Sequence, residues 1–156
     1  MPSEQASVFS QLHPRIQSSL KAIPRHSKYY VALSGGLDSM ILLSAFVSYL
    51  KSQSSPCTVE AIHVHHGLSE YANDWADHCQ QECARLGVHC YVERVGVVNK
   101  GQGLEAAARD ARYGVFERYL AGGGVLLQGH HQNDQAETVL MKMLRGAGVE
   151  GLSGMP

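Results

Sequence analysis

From Tyr29 onward, short apolar runs alternate with amphipathic stretches of helical length, and this alternation constrains the fold more than any other feature. It is the pattern of repeated βα units, which set strands side by side in a parallel sheet and lay helices over its faces. Four units can be counted, with strands over 29–33, 58–65, 89–95 and 125–129, and helices over 38–51, 70–86, 104–120 and 133–145. In the second helix Trp75, Cys79, Cys83 and Leu86 fall at i, i+4, i+8 and i+11, which predicts one apolar face, and Gly87 supplies the stop. In the fourth, Ala136, Val139, Leu140, Met143 and Leu144 repeat with helical period. Residues 1–28 form a moderately basic helical lead-in, patterned by Val8, Phe9, Leu12, Ile16 and Leu20. The chain stops in a Gly-rich loop at 151–156 with no fifth strand, where doubly wound sheets have about five or six, so a truncated domain is expected.

With 156 residues, 44% hydrophobic and 17% charged, the chain has the content of one globular domain with a real core. It holds no apolar run of membrane-spanning length, and its first thirty residues lack a cationic start, apolar run and cleavage site. The expectation is a cytoplasmic protein with no membrane partner. Cys57, Cys79, Cys83 and Cys90 include no CxxC pair, which disfavours structural zinc, a disulfide framework and sulfur-handling chemistry. A net charge of -1 predicts weak RNA binding by this chain alone, because such affinity comes largely from Lys and Arg neutralising phosphates.

Ser34-Gly35-Gly36-Leu37-Asp38-Ser39 lies directly between an apolar strand and a helix. Free backbone N–H groups and the helix dipole favour an anion there, and the glycines let the backbone wrap it closely. Ser34 and Ser39 add hydroxyls, and Asp38 makes sense in a phosphate cradle if it also holds a divalent cation such as Mg²⁺. The plain alternative is a tight βα turn with Asp38 as an ordinary first-turn acid. No Lys follows the glycines, so this is not the GxxxxGK[ST] loop.

Three further segments fall at carboxyl ends of strands or on the helices that follow, where open α/β sheets bind ligands. Ala61-Ile62-His63-Val64-His65-His66-Gly67-Leu68-Ser69 ends the second strand, and alternation sends His63 and His65 to one side and Val64 to the other. Such histidines either face a nucleobase or are satisfied by backbone. Glu105, Arg109 and Arg112 share a helix face, as a charged stripe or as part of a site. In Gly129-His130-His131-Gln132-Asn133-Asp134-Gln135-Ala136-Glu137-Thr138, Asp134 and Glu137 stand at i and i+3 and need a cation between them, either Mg²⁺ or a lysine ammonium, unless they simply charge a helix start.

The hexapeptide at 34–39 resembles the SGGxDS loop of the PP-loop ATP pyrophosphatases, whose members cleave ATP between the α and β phosphates. Within that superfamily, the HVHHGL run, the helix similar to ExxxRxxRY, the run similar to GHHxxDxxET and the loop 145–155, similar to RGxGxxGLxGM, resemble the lysidine synthases. The resemblance spans about Val31 to Met155. It implies a doubly wound, adenine nucleotide alpha hydrolase-like PP-loop fold over residues 29–156, without the family's C-terminal domains. It implies ATP and Mg²⁺ held by Ser34, Gly35, Gly36, Leu37, Asp38 and Ser39, with Asp38 as metal ligand, and Asp38, Arg109 and His130 as catalytic residues. It implies free L-lysine held by Asp134 and Glu137 and joined to the wobble cytidine of tRNA(Ile), with tRNA selection left to the C-terminal domains. Many relatives carry two aspartates where this chain has Asn133-Asp134, so Asn133 is given no role. Two other classes compete: another PP-loop activity such as thiolation or amide transfer, and a regulatory module that holds ATP without turnover.

Overall fold

The computed structural model describes residues 9–54 and 56–129. In chain order these form α1 (Pro14–Lys21), β1 (Lys28–Leu33), α2 (Leu37–Gln53), β2 (Thr58–His65), α3 (Ala72–Leu86), β3 (His89–Arg94), α4 (Leu104–Leu120) and β4 (Val125–Gln128). The fourth helix expected from sequence, with His130, Asp134 and Glu137, lies outside the described residues.

All strand pairings are parallel, in the order β3-β2-β1-β4. The order runs backward from β1 to β3 and then jumps to β4 on the other side of β1. That reversal opens a crevice beyond the carboxyl ends of β1 and β4. Because helices cover the sheet, β1 and β4 read as nearly continuous apolar runs rather than alternating ones.

Alternation along the strands feeds two separate cores, one on each face. On one face Tyr29, Val31 and Leu33 of β1 pack with Leu42, Leu43 and Phe46 of α2, Cys79 and Cys83 of α3, and Leu20 of α1. Tyr29 and Phe46 meet edge to face, with ring centroids 4.9 Å apart. On the other face Tyr30, Ile62, Val64 and Leu126 pack against Val115 and Phe116 of α4. The fold is therefore the doubly wound parallel sheet with helices on both faces that the alternation predicts.

The α3 stop is also as expected: Gly87 takes φ 72°, and the Val88 N–H donates to the Cys83 carbonyl at 2.8 Å. One helix-face expectation is corrected. Ala72, Ala76, Cys79 and Cys83 make the buried stripe of α3, whereas Trp75 is 46% exposed. Trp75 is drawn off the core to lie against the β1–α2 loop, where a Cβ on Gly35 would come within 3.2 Å of its own Cβ.

Candidate functional site

A cavity of about 320 Å³ opens at the carboxyl edge of the sheet, in the size range of small-molecule sites. It is lined by the ends of β1, β2 and β4, the loop that follows β2, and side chains from α2, α3 and α4. Every sequence motif described up to residue 129 reaches this edge, but not every residue in those motifs reaches the cavity.

The α2 side of the cavity is closed on itself. Ser34 N–H donates to Ser39 Oγ at 3.2 Å, the two hydroxyls lie 3.2 Å apart, Ser39 Oγ donates to the Gly36 carbonyl at 3.1 Å, and Gly36 N–H donates to Ser34 Oγ at 3.1 Å. Gly35 turns the loop at φ 91°, which side chains rarely adopt. The result is a rigid loop at the N-terminus of a 17-residue helix, with Gly36 as N-cap and Asp38 exposed in the first turn. Such an end attracts anions.

Two of the β2 histidines are also satisfied. His63 is 3% exposed, and its Nδ1 lies 2.8 Å from the Leu33 carbonyl. Burial lowers its pKa, against the opposing effect of that hydrogen bond, so the ring is neutral at pH 7. His65 Nε2 meets Asn73 Oδ1 at 2.8 Å, and Arg94 approaches the same two atoms at 3.1 and 3.3 Å. Both rings point to the α2 and α3 side, as alternation requires, and both serve to tie strand ends together.

The α4 side is different. Gln128, the last residue of β4, is 5% exposed, and its Nε2 has no partner. The same holds for Nδ1 of His66 and Nε of Arg112, and all three residues line the cavity. They are the only buried side-chain nitrogens or oxygens without a partner among the described residues. Each such group costs about 1–3 kcal/mol while it stays unpaired, and all three belong to residues that line the cavity. Burial, and then the Arg112 charge, lower the pKa of His66.

The expected charged stripe on α4 is split by the fold: Arg112 is half-buried and lines the cavity, while Arg109 is exposed and does not. His66, Arg112 and Gln128 are the site residues that the sequence did not single out by role.

Among the described residues no group of three or more His, Cys, Asp or Glu is arranged to hold a metal ion. Mg²⁺ binds through as few as one or two carboxylates and completes its shell with phosphate oxygens and water. An exposed Asp38 beside a phosphate-type loop fits that mode. All four cysteines are free, and burial pushes the Cys79 thiol up to about 12, which leaves it protonated as a core residue. No helix among the described residues is long and apolar enough to cross a membrane.

The profile of the PP-loop domain family matches residues 9–156. The chain belongs to the PP-loop domain family. Within it, the chain is 49% identical over 145 residues to the tRNA(Ile)-lysidine synthase of Pseudomonas fluorescens (strain Pf0-1), covering 93% of this chain and 32% of that protein. With the tRNA(Ile)-lysidine synthase of Coxiella burnetii (strain RSA 493 / Nine Mile phase I) it is 46% identical over 138 residues, which is 88% of this chain and 30% of that protein. It therefore spans about a third of the length of the curated relatives it matches. Among solved structures, the U34-tRNA thiolase NcsA from Methanococcus maripaludis superposes with a TM-score of 0.65 at 19% identity, over 81% of this chain and 46% of that one. That likeness shows the PP-loop fold.

Proposed function

We propose that this chain carries the ATP-using catalytic centre of a cytoplasmic tRNA(Ile)-lysidine synthase. The observation that carries the reading is the 49% identity to one such enzyme over 93% of the chain. The loop 34–39 holds the phosphates of ATP, with Ser34 and Ser39 fixing its shape and backbone N–H groups facing the anion. Asp38 would hold Mg²⁺ at this loop, and the ion when bound would supply charge neutralisation to the phosphates.

The carbonyl oxygen of the wobble cytosine attacks the α phosphorus, the α–β bridge bond breaks, and pyrophosphate leaves. The amine of free lysine then attacks the activated ring carbon, and AMP leaves with the former carbonyl oxygen. Arg109 and His130 stabilise charge developing near the α phosphate. Asp134 and Glu137 hold the lysine ammonium, and one of these carboxylates takes its proton before the free amine attacks. With a net charge of -1, the chain itself grips tRNA weakly, so selection rests on the part of the lysidine synthases that it does not span.

The test is transfer of radiolabelled lysine to tRNA(Ile) carrying a wobble cytidine, by the complete protein with ATP. Label in the tRNA is expected; pyrophosphate release without lysine transfer would discard this substrate while keeping the superfamily.

A further inference from the structure

Gly35 turns the loop 34–39, and the hydrogen bonds that fix the loop join Ser34, Gly36 and Ser39 around it. Its own conformation, φ 91°, is one that glycine enters and leaves more freely than any other residue. A rotation there turns the flanking peptide groups, and with them the N–H groups that face an anion. Trp75 stands in the way of that rotation. A Cβ built on Gly35 would lie 3.2 Å from Trp75 Cβ and 3.4 Å from its Cγ, so the loop backbone and the side chain meet with no room for a methyl group between them.

Trp75 is itself held from behind. It lies in the first turn of α3, where its N–H donates to the Tyr71 carbonyl at 3.0 Å. Asn73 Oδ1 meets His65 Nε2 at 2.8 Å and accepts from Arg94 at 3.3 Å, which pins the start of α3 to the ends of β2 and β3. Ala72, Ala76, Cys79 and Cys83 anchor the same helix in the core. The indole lines the cavity beside Ser34 and Ser39 and stays half in water, so core packing does not account for a large aromatic side chain at this position.

We propose that Trp75 is a positioning residue for the triphosphate: its indole holds Gly35, and through it the loop 34–39, in the form that presents backbone N–H groups to the phosphates. This deepens the proposed function and rests on it for ATP as the ligand of the loop. A loop fixed in its bound form before the ligand arrives loses less freedom on binding, so the brace raises affinity without needing a bond of its own to the phosphates.

The test compares the complete wild-type protein with Trp75→Ala and Trp75→Phe. Phenylalanine keeps Cβ, Cγ and a flat ring, whereas alanine loses the ring. Neither touches the buried stripe of α3, so both variants should melt close to wild type. Calorimetry measures binding of pyrophosphate with Mg²⁺ and of ATP, and steady-state kinetics give the KM for ATP and for tRNA(Ile). Alanine should weaken pyrophosphate and ATP binding about tenfold with the KM for tRNA unchanged, and phenylalanine should restore most of that affinity. Trp75 is the one tryptophan in this chain, and the fluorescence difference between wild type and Trp75→Phe isolates its signal. That signal should change as pyrophosphate binds and saturate with the calorimetric curve.

An alanine variant that binds pyrophosphate as wild type does, or an indole signal indifferent to pyrophosphate, would overturn the proposal. So would weaker binding of adenosine with pyrophosphate binding intact, which would make the indole a wall for the base. Pyrophosphate binding that depends on Trp75, in a protein that transfers no lysine, keeps the brace and removes the lysidine reading. Lysine transfer with phosphate binding independent of Trp75 does the reverse.

Discussion

The two sides of the cavity are built on opposite rules. On the α2 side, Ser34, Ser39, Gly36, His63 and His65 satisfy one another or nearby backbone groups, within hydrogen-bond distances of 2.8–3.2 Å. On the α4 side, His66, Arg112 and Gln128 each hold a buried atom with no partner. The first side has its shape before any ligand arrives, as suits a loop that must present backbone N–H groups to an anion. The second leaves three buried polar atoms unpaired, each at a cost until it is hydrogen-bonded. Satisfied and unsatisfied polar groups are thus placed on opposite faces of one sheet, joined at the topological switch point.

Variants can break or sharpen this contrast. The largest effect is expected on α4, where Arg109 and Arg112 share a helix but only Arg112 lines the cavity. Under the proposed mechanism Arg109→Ala lowers turnover about 10²-fold or more with the KM for tRNA little changed; unaltered kinetics would leave Arg112 as the cation of the site.

Next is Gly35→Val. At φ 91° a branched side chain is strained and meets Trp75, so unfolding free energy should fall by about 1–3 kcal/mol in urea titration. A stable variant would show that the phosphate loop is more yielding than its hydrogen bonds imply. Ser39→Ala removes the acceptor for Ser34 N–H and should cost about 0.5–1.5 kcal/mol, read as a lower melting temperature, together with a raised KM for ATP.

The smallest effect is on pH dependence. His63 is buried with a lowered pKa, so the unfolded chain binds the proton more readily. Stability is then complete above about pH 6.5, the ordinary histidine value, and falls as pH drops from there toward the folded-state pKa. His63→Gln should flatten melting temperature against pH over that interval; an unchanged slope would assign it to other groups.

Much of this frame was legible in the sequence. Parallel strands buried on both faces must be short apolar runs, so Tyr29 to Leu33 and Thr58 to His65 gave themselves away, and Gly87 marked the end of α3. The anion loop was legible because its residue types are dictated by backbone geometry. The α4 wall was not, since whether a polar atom finds a partner depends on tertiary neighbours rather than on local pattern. Its traces were slight: His66 within the HVHHGL run, Arg112 within a charged stripe, and Gln128 as one polar residue closing an apolar strand. Trp75 misled for a related reason, because helical period identifies a face but not whether a loop such as 34–36 competes for one of its members.

The most direct test of the account is pyrophosphate release from ATP by the complete wild-type protein, compared across tRNA(Ile) with cytidine at the wobble position, the same tRNA with uridine there, and no tRNA. The account predicts release that requires the cytidine tRNA. Equal release with uridine, or without tRNA, would contradict it.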